Sequence, residues 1–259
     1  MTNTTRKKLY LLIVEGGTDE ALFQPLITEL SNSDVRVYTH RTDIFSEFTT
    51  LPTSSQQSIR NRIQKVVKDK INRLNLRPKI ISGIIHIVDM DGTFIPNSQV
   101  IISPTVSLKD KKRYTTNVIE CCDVLKQREL IDRNQRKASN HRSMLGVSQI
   151  TVDRIAIPYR SFFMSSNTDH IMFNSQNLSI DDKNDLMDDY IDEHIGRMLD
   201  VLNHLKQFMI NDGDYRETWQ HIQQGTNSLN RFTNTPLLFD FIKGPIDAEK
   251  TESTIEAQS

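Results

Sequence analysis

Two unbroken apolar runs, Leu9–Val14 (LYLLIV) and Ile80–Val88 (IISGIIHIV), each end abruptly in an acidic turn that contains glycine. The first turn is Glu15-Gly16-Gly17 and the second is Asp89-Met90-Asp91-Gly92. A strand with one wet face alternates apolar and polar residues, whereas a continuous run belongs to a strand covered on both faces. Between the two runs the chain has room for helix, strand and helix. Thr18 can cap a helix that carries Asp19 and Glu20 in its first turn and continues over Ala21, Leu22, Leu26 and Ile27 to about Ser31. Val35–Thr39 (VRVYT) alternates as a short strand. From Ser58 to Leu76, Ile59, Ile63, Val66, Val67, Ile71 and Leu74 recur at helical spacing, with Arg60, Arg62, Lys65, Lys68 and Arg73 on other faces. Strands separated by helices connect through right-handed crossovers into a parallel sheet, so the expectation is an α/β fold.

Beyond Val88 the pattern is weaker. Tyr114–Leu130 reads as helix, and the basic stretch Lys126–Arg142 (KQRELIDRNQRKASNHR) as a helix end followed by a loop. Arg154–Met164 reads as a strand or pair of strands. Met187, Ile191, His194, Ile195, Met198, Leu202, Leu205 and Met209 read as one long helix, and Asp214–Gln224 as another. The expected organisation is a core over residues 1–170, a helical extension over 171–243 and a polar, disordered tail over 244–259. Cys121 and Cys122 are the only cysteines and have neither metal-ligand nor redox spacing. With no run near the roughly 20 apolar residues of a membrane span, a soluble, cytoplasmic protein without membrane contact is expected.

In an open parallel sheet, ligands bind outside the carboxyl ends of the strands, where loops diverge and helix N-termini converge. Glu15, Asp89 and Asp91 fall at that edge, and Asp19 lies one helical turn beyond Glu15. Carboxylates gathered there without basic partners repel one another, and a cation relieves the repulsion. Oxygen-only ligands point to Mg²⁺, with Mn²⁺ as a substitute.

IVEGGTDEALF followed by IIHIVDMDG resembles the Toprim domain of topoisomerases, primases, small maturation ribonucleases and the overcoming-lysogenisation-defect nucleases, over roughly residues 8–95. The resemblance implies a Toprim-like core in which Glu15 is the catalytic glutamate, Asp89 and Asp91 hold Mg²⁺, and Asp19 matches a further acidic position of the nuclease-type members. Those members carry a later strand ending in a serine and an acid, for which RSFFMSSNTDHIMF is the counterpart, with Ser166 and Asp169 completing a second metal site. The lysine some members use to stabilise charge has no evident counterpart. Chain length and a helical C-terminal part are also similar to bacterial abortive-infection effectors encoded beside an ATPase. That likeness implies an endonuclease in anti-phage defence, with an ATPase or a second copy of the chain as partner.

Three further readings stand beside this one. DMDGT after an apolar run is also the first motif of haloacid-dehalogenase-like phosphatases, with Asp89 as nucleophile and Asp91 as general acid. Against it, two strands precede the motif, and the later paired acids, Asp188 and Asp189, lie in a helix. A non-catalytic binding module of the same shape is the second. The third concerns charge: Lys and Arg outnumber Asp and Glu 25 to 16 over residues 1–160 and are outnumbered 7 to 17 over residues 161–259. A basic first part suits a nucleic acid, DNA or RNA, met by Lys126, Arg128, Arg133, Arg136, Lys137 and Arg142, although a solvated loop has the same composition. His170 could touch a base, and Trp219, beside Tyr215 and Ile222, reads as packing.

Overall fold

A computed structural model describes residues 7–31, 34–46, 58–210 and 213–244; the expected tail lies, from 245 onward, outside the described residues. Strand β1 (Lys8–Val14) is followed by α1 (Gly17–Leu30), β2 (Val35–Arg41), α2 (Ile59–Arg73) and β3 (Ile81–Asp89). The expected strand–helix alternation is therefore realised. The main sheet has the order β2-β1-β3-β8-β7, where β7 is Gln149–Val152 and β8 is Ile155–Met164. Its first four strands run parallel, and β7 adds an antiparallel edge by pairing with β8.

Both faces of this sheet are covered, which explains the continuous runs. Leu9, Leu11 and Ile13 of β1 and Ile84 and Val88 of β3 join one core with Ile59, Ile63, Val67 and Ile71 of α2. Tyr10, Leu12, Val14, Ile85 and Ile87 point into a second core with Leu22, Phe23, Leu26 and Ile27 of α1. At about 1.5–3 kcal/mol for each fully buried aliphatic side chain, these two strands bind both helical layers together.

Three short strands, β4 (Val100–Ile102), β5 (Lys112–Tyr114) and β6 (Ile119–Cys121), form a separate small sheet in the order β4-β6-β5. This replaces the first half of the helix expected over Tyr114–Leu130. Helix α3 (Val124–Met144) begins only at Asp123, whose carboxylate accepts the Lys126 N–H at 2.7 Å. The basic stretch expected as a loop lies inside this 21-residue helix. Helix α1 also begins earlier than expected, with Gly16 rather than Thr18 at the cap, because Asp19 reaches back to accept the Gly16 N–H at 2.8 Å.

After the short α4 (Thr168–Phe173), the long helix expected over 187–209 divides into α5 (Ile180–His194) and α6 (Met198–Lys206). Gly196 takes the left-handed conformation, φ +78°, between them. Glu29 of α1 fixes the break by accepting the N–H groups of Gly196 and Met198 at 2.9 and 2.8 Å. Helices α7 (Tyr215–Ile222) and α8 (Leu238–Lys243) follow.

The part expected as an extension shares both cores with the part before it. Trp219 and Ile222 pack with β1 and β3, while Met198, Val201 and Leu238 pack with α1. Asn234 accepts the Phe163 N–H at 2.8 Å, and the Thr233 hydroxyl donates to the Phe163 carbonyl at 2.7 Å.

Candidate metal centre

Four adjacent parallel strands deliver their carboxylates to one edge. Asp43 follows β2, Glu15 and Asp19 follow β1, Asp89 and Asp91 follow β3, and Asp169 follows β8 on α4. All six line a single cleft of about 890 Å³. Sequence reading brought five of them together and missed Asp43. Its signal was its place just past β2, the same strand edge as the others.

The turn after β3 is unusual backbone. Asp91 and Gly92 both have left-handed φ, 49° and 71°, and Ser166 at the end of β8 has φ 60°. The Asp91 N–H donates to the Ser166 carbonyl at 2.7 Å, which ties the two turns together. Both turns also donate to one oxygen, the Ser228 carbonyl, from Gly92 at 3.2 Å and from Ser166 at 3.0 Å. Only glycine suits position 92, since a Cβ there would stand 2.8 Å from Leu229 Cδ2 and 2.9 Å from Ile119 Cδ1.

Two cations enter from α3. Lys137 is fully buried, with Nζ 3.0 and 3.1 Å from the two Glu15 oxygens and 3.5 Å from Asp91 Oδ2. Arg133, one turn earlier, donates to the Asp91 carbonyl at 2.9 Å and to the Tyr114 hydroxyl at 3.1 Å. The expectation of carboxylates without basic partners is thus corrected for Glu15 and Asp91. Lys137, expected on a nucleic-acid surface, is instead buried against Glu15 and Asp91.

The remaining basic residues of that set do not converge. Lys126 pairs with Glu129 at 2.7 Å, Arg128 is exposed, Arg136 is half-buried, and exposed Arg142 bonds Gln223 at 3.3 Å and lies over the Phe94 ring. Trp219 packs edge-on against Phe163 in the core, as expected. His170 is buried, and burial, reinforced by Arg231, lowers its pKa to about 4.

The electrostatics divide the carboxylates. Burial drives Asp91 upward, but Lys137, then Arg133 and Lys112, outweigh it and hold Asp91 below the ordinary carboxylate range. Burial pushes Glu15 up to about 8 against the pull of Lys137, with Asp43 and Asp91 adding to the rise. Asp89 is raised well above its ordinary value, first by burial and then by Asp19, Glu15 and Asp91. Burial also raises Asp169, to about 6, and Asp19.

Whether these residues suit a cation follows from what they lack. Asp89 Oδ1 and Asp169 Oδ1 are buried with no hydrogen-bond partner, a state that costs about 1–3 kcal/mol or more for a charged group. Asp19 is better satisfied, bonded to the Gly16 N–H and the Thr168 hydroxyl. Among the described residues no three His, Cys, Asp or Glu side chains stand close enough to form a metal cluster. The carboxylates line one cleft, their donor set is oxygen-only, and the unpartnered oxygens of Asp89 and Asp169 are of the kind a hard divalent cation takes as ligands. No family model, curated protein or solved structure matches the chain.

Proposed function

We propose that the chain is a Mg²⁺-dependent endonuclease of Toprim type, hydrolysing phosphodiester bonds of nucleic acid. The observation that carries this reading is the gathering of Glu15, Asp19, Asp89, Asp91 and Asp169 from three adjacent strand ends around one cleft, with oxygens of Asp89 and Asp169 left unpartnered. Asp89 and Asp91 would hold the Mg²⁺, and Asp19 and Asp169 a second ion, with Mn²⁺ as a substitute. Such ions polarise the scissile phosphate and neutralise the charge that develops on it.

The chain's own groups supply the rest. Glu15, whose carboxyl burial raises to about 8, would take the proton of an attacking water in its ionised form, which Lys137 and a bound cation both favour. Lys137 fixes the Glu15 and Asp91 carboxylates relative to each other, and Arg133 holds the Asp91 backbone. A phosphatase using Asp89 and Asp91 draws less support. Its general acid must carry a proton at neutral pH, whereas Lys137 and Arg133 favour ionised Asp91.

A protein partner, an ATPase in an anti-phage setting, would find its surface on α5. That helix exposes Asp181, Asp182, Asp185, Asp188, Asp189, Asp192 and Glu193 around the partly exposed Leu186. Among the described residues no helix is long and apolar enough to cross a membrane.

The test is cleavage of labelled DNA and RNA by the wild type and Asp89→Asn in Mg²⁺, Mn²⁺ or EDTA. Cleavage that needs the metal and is lost in Asp89→Asn is expected. Full activity in EDTA, or release of phosphate from phosphomonoesters with nucleic acids left intact, would overturn the reading.

A further inference from the structure

The cleft has two lysines that form no ion pair among the described residues. Lys183, half-buried on the first turns of α5, makes no hydrogen bond or ion pair through its ammonium group among the described residues. It stands near enough to Asp19 and Asp169 to oppose the rise that burial imposes on both. Lys112, on β5 of the small sheet, has no carboxylate within ion-pair distance among the described residues. Its Nζ donates to the Tyr114 hydroxyl at 2.5 Å and lies 4.5 Å from the centre of that ring. The same hydroxyl accepts from Arg133, so Lys112 is connected to the Asp91 turn through Tyr114.

Other basic residues of the chain are placed or committed differently. Lys68 of α2 pairs with Asp153 at the opposite end of β8, and Arg113 pairs with Glu120. Desolvating an ammonium in a cleft and leaving it unpaired costs free energy, and an anionic ligand recovers that cost.

We infer that Lys112 and Lys183 are phosphate-binding residues that seat one polynucleotide strand across the carboxylates. One phosphate lies on the small-sheet side and another on the α5 side of the scissile one. This rests on the nuclease reading and deepens it, since the substrate must then carry phosphates on both sides of the cleaved bond. A small diester would not use either lysine.

The experiment uses the full chain, with Lys112→Ala, Lys183→Ala, the double variant, and Lys79→Ala, from the far end of β3, as control. Binding of a fluorescent twelve-nucleotide single strand is followed against salt, with Ca²⁺ in place of Mg²⁺, alongside cleavage of bis(p-nitrophenyl) phosphate in Mg²⁺ or Mn²⁺. Each lysine removed should weaken binding about tenfold, as expected for a charge-assisted contact, and reduce the salt slope by about 0.7. Lys79→Ala should bind the strand and cleave the small diester as the wild type does, whereas Lys112→Ala and Lys183→Ala should lose more in oligonucleotide binding than in cleavage of the small diester. Unchanged oligonucleotide binding in the double variant, or no binding by the wild type, overturns the inference. Failure of the wild type to cleave either substrate overturns the nuclease reading, and the binding series decides the lysines' role independently.

Discussion

Replacing Lys137 with methionine separates the electrostatic account of the cleft from a packing account. Methionine fills a similar volume, so little cavity is created, and the change removes, among the described residues, the one cation that touches both Glu15 and Asp91. Taking away one partner of a buried ion pair costs about 3–5 kcal/mol, because the other charge stays buried and unpaired. For a chain of this size each kcal/mol lowers Tm by about 2–4 °C, so Lys137→Met should melt about 6–20 °C below the wild type in EDTA. Glu15→Gln in the same chain removes one of the stranded carboxylates, and the double variant should be less damaged than the sum of the singles by about 0.5–3 kcal/mol. Mg²⁺ should then stabilise Lys137→Met more than the wild type, since the ion no longer competes with an ammonium; at a hundred times Kd, binding adds about 2.7 kcal/mol. Differential scanning calorimetry of the four proteins with and without Mg²⁺ measures each quantity. Additive single effects together with an equal response to Mg²⁺ would refute the argument.

Asp89→Asn should abolish cleavage and yet raise the stability of the metal-free protein by about 1–3 kcal/mol, because it removes a buried carboxylate with an unpartnered oxygen; a lower Tm would count against that account. Gly92→Ala should lose activity and at least about 2 kcal/mol of stability, through its left-handed φ and the contacts at 2.8 and 2.9 Å, read by urea denaturation. In EDTA the wild type should lose stability as pH rises from 6.5 to 8. Folded Glu15 keeps its proton to about 8, while the unfolded chain releases its own near 4.3, so this contribution is fully present below the unfolded value and fades through the folded one. Glu15 should contribute about 1.4 kcal/mol per pH unit to this slope, on top of the part due to Asp89, and the slope should fall by about that amount in Glu15→Gln; an unchanged slope in that variant would show that Glu15 is not a group responsible.

What could be read in the sequence was what depends on long, regular burial. The runs of β1 and β3 are apolar throughout because both of their faces are covered, and the acids that end them mark the carboxyl edge of the sheet. Helix α3 was obscured because its buried face carries Asn134, Lys137 and His141 among Leu130, Ala138 and Met144, so the inner stripe looks like a solvated one. The three strands of the small sheet span three residues each, too short for alternation to register. The break between α5 and α6 left the apolar spacing nearly intact, and its cause, Glu29, lies more than 160 residues earlier in the chain. Asn134 also donates to the Gly92 carbonyl at 3.1 Å, so the polar residues that hid the helix are those that hold the site.

The single oxygen of Ser228 that receives both turn N–H groups also sets a timetable. Chains emerge from the ribosome N-terminus first, and the strands bearing Glu15 and Asp89 are synthesised long before residue 228. Until that residue is free of the tunnel, nothing supplies the acceptor that locks the turns at Gly92 and Ser166. A nascent chain can therefore display every carboxylate of the cleft without their final arrangement, and the site is completed only after residue 228 has been made and released.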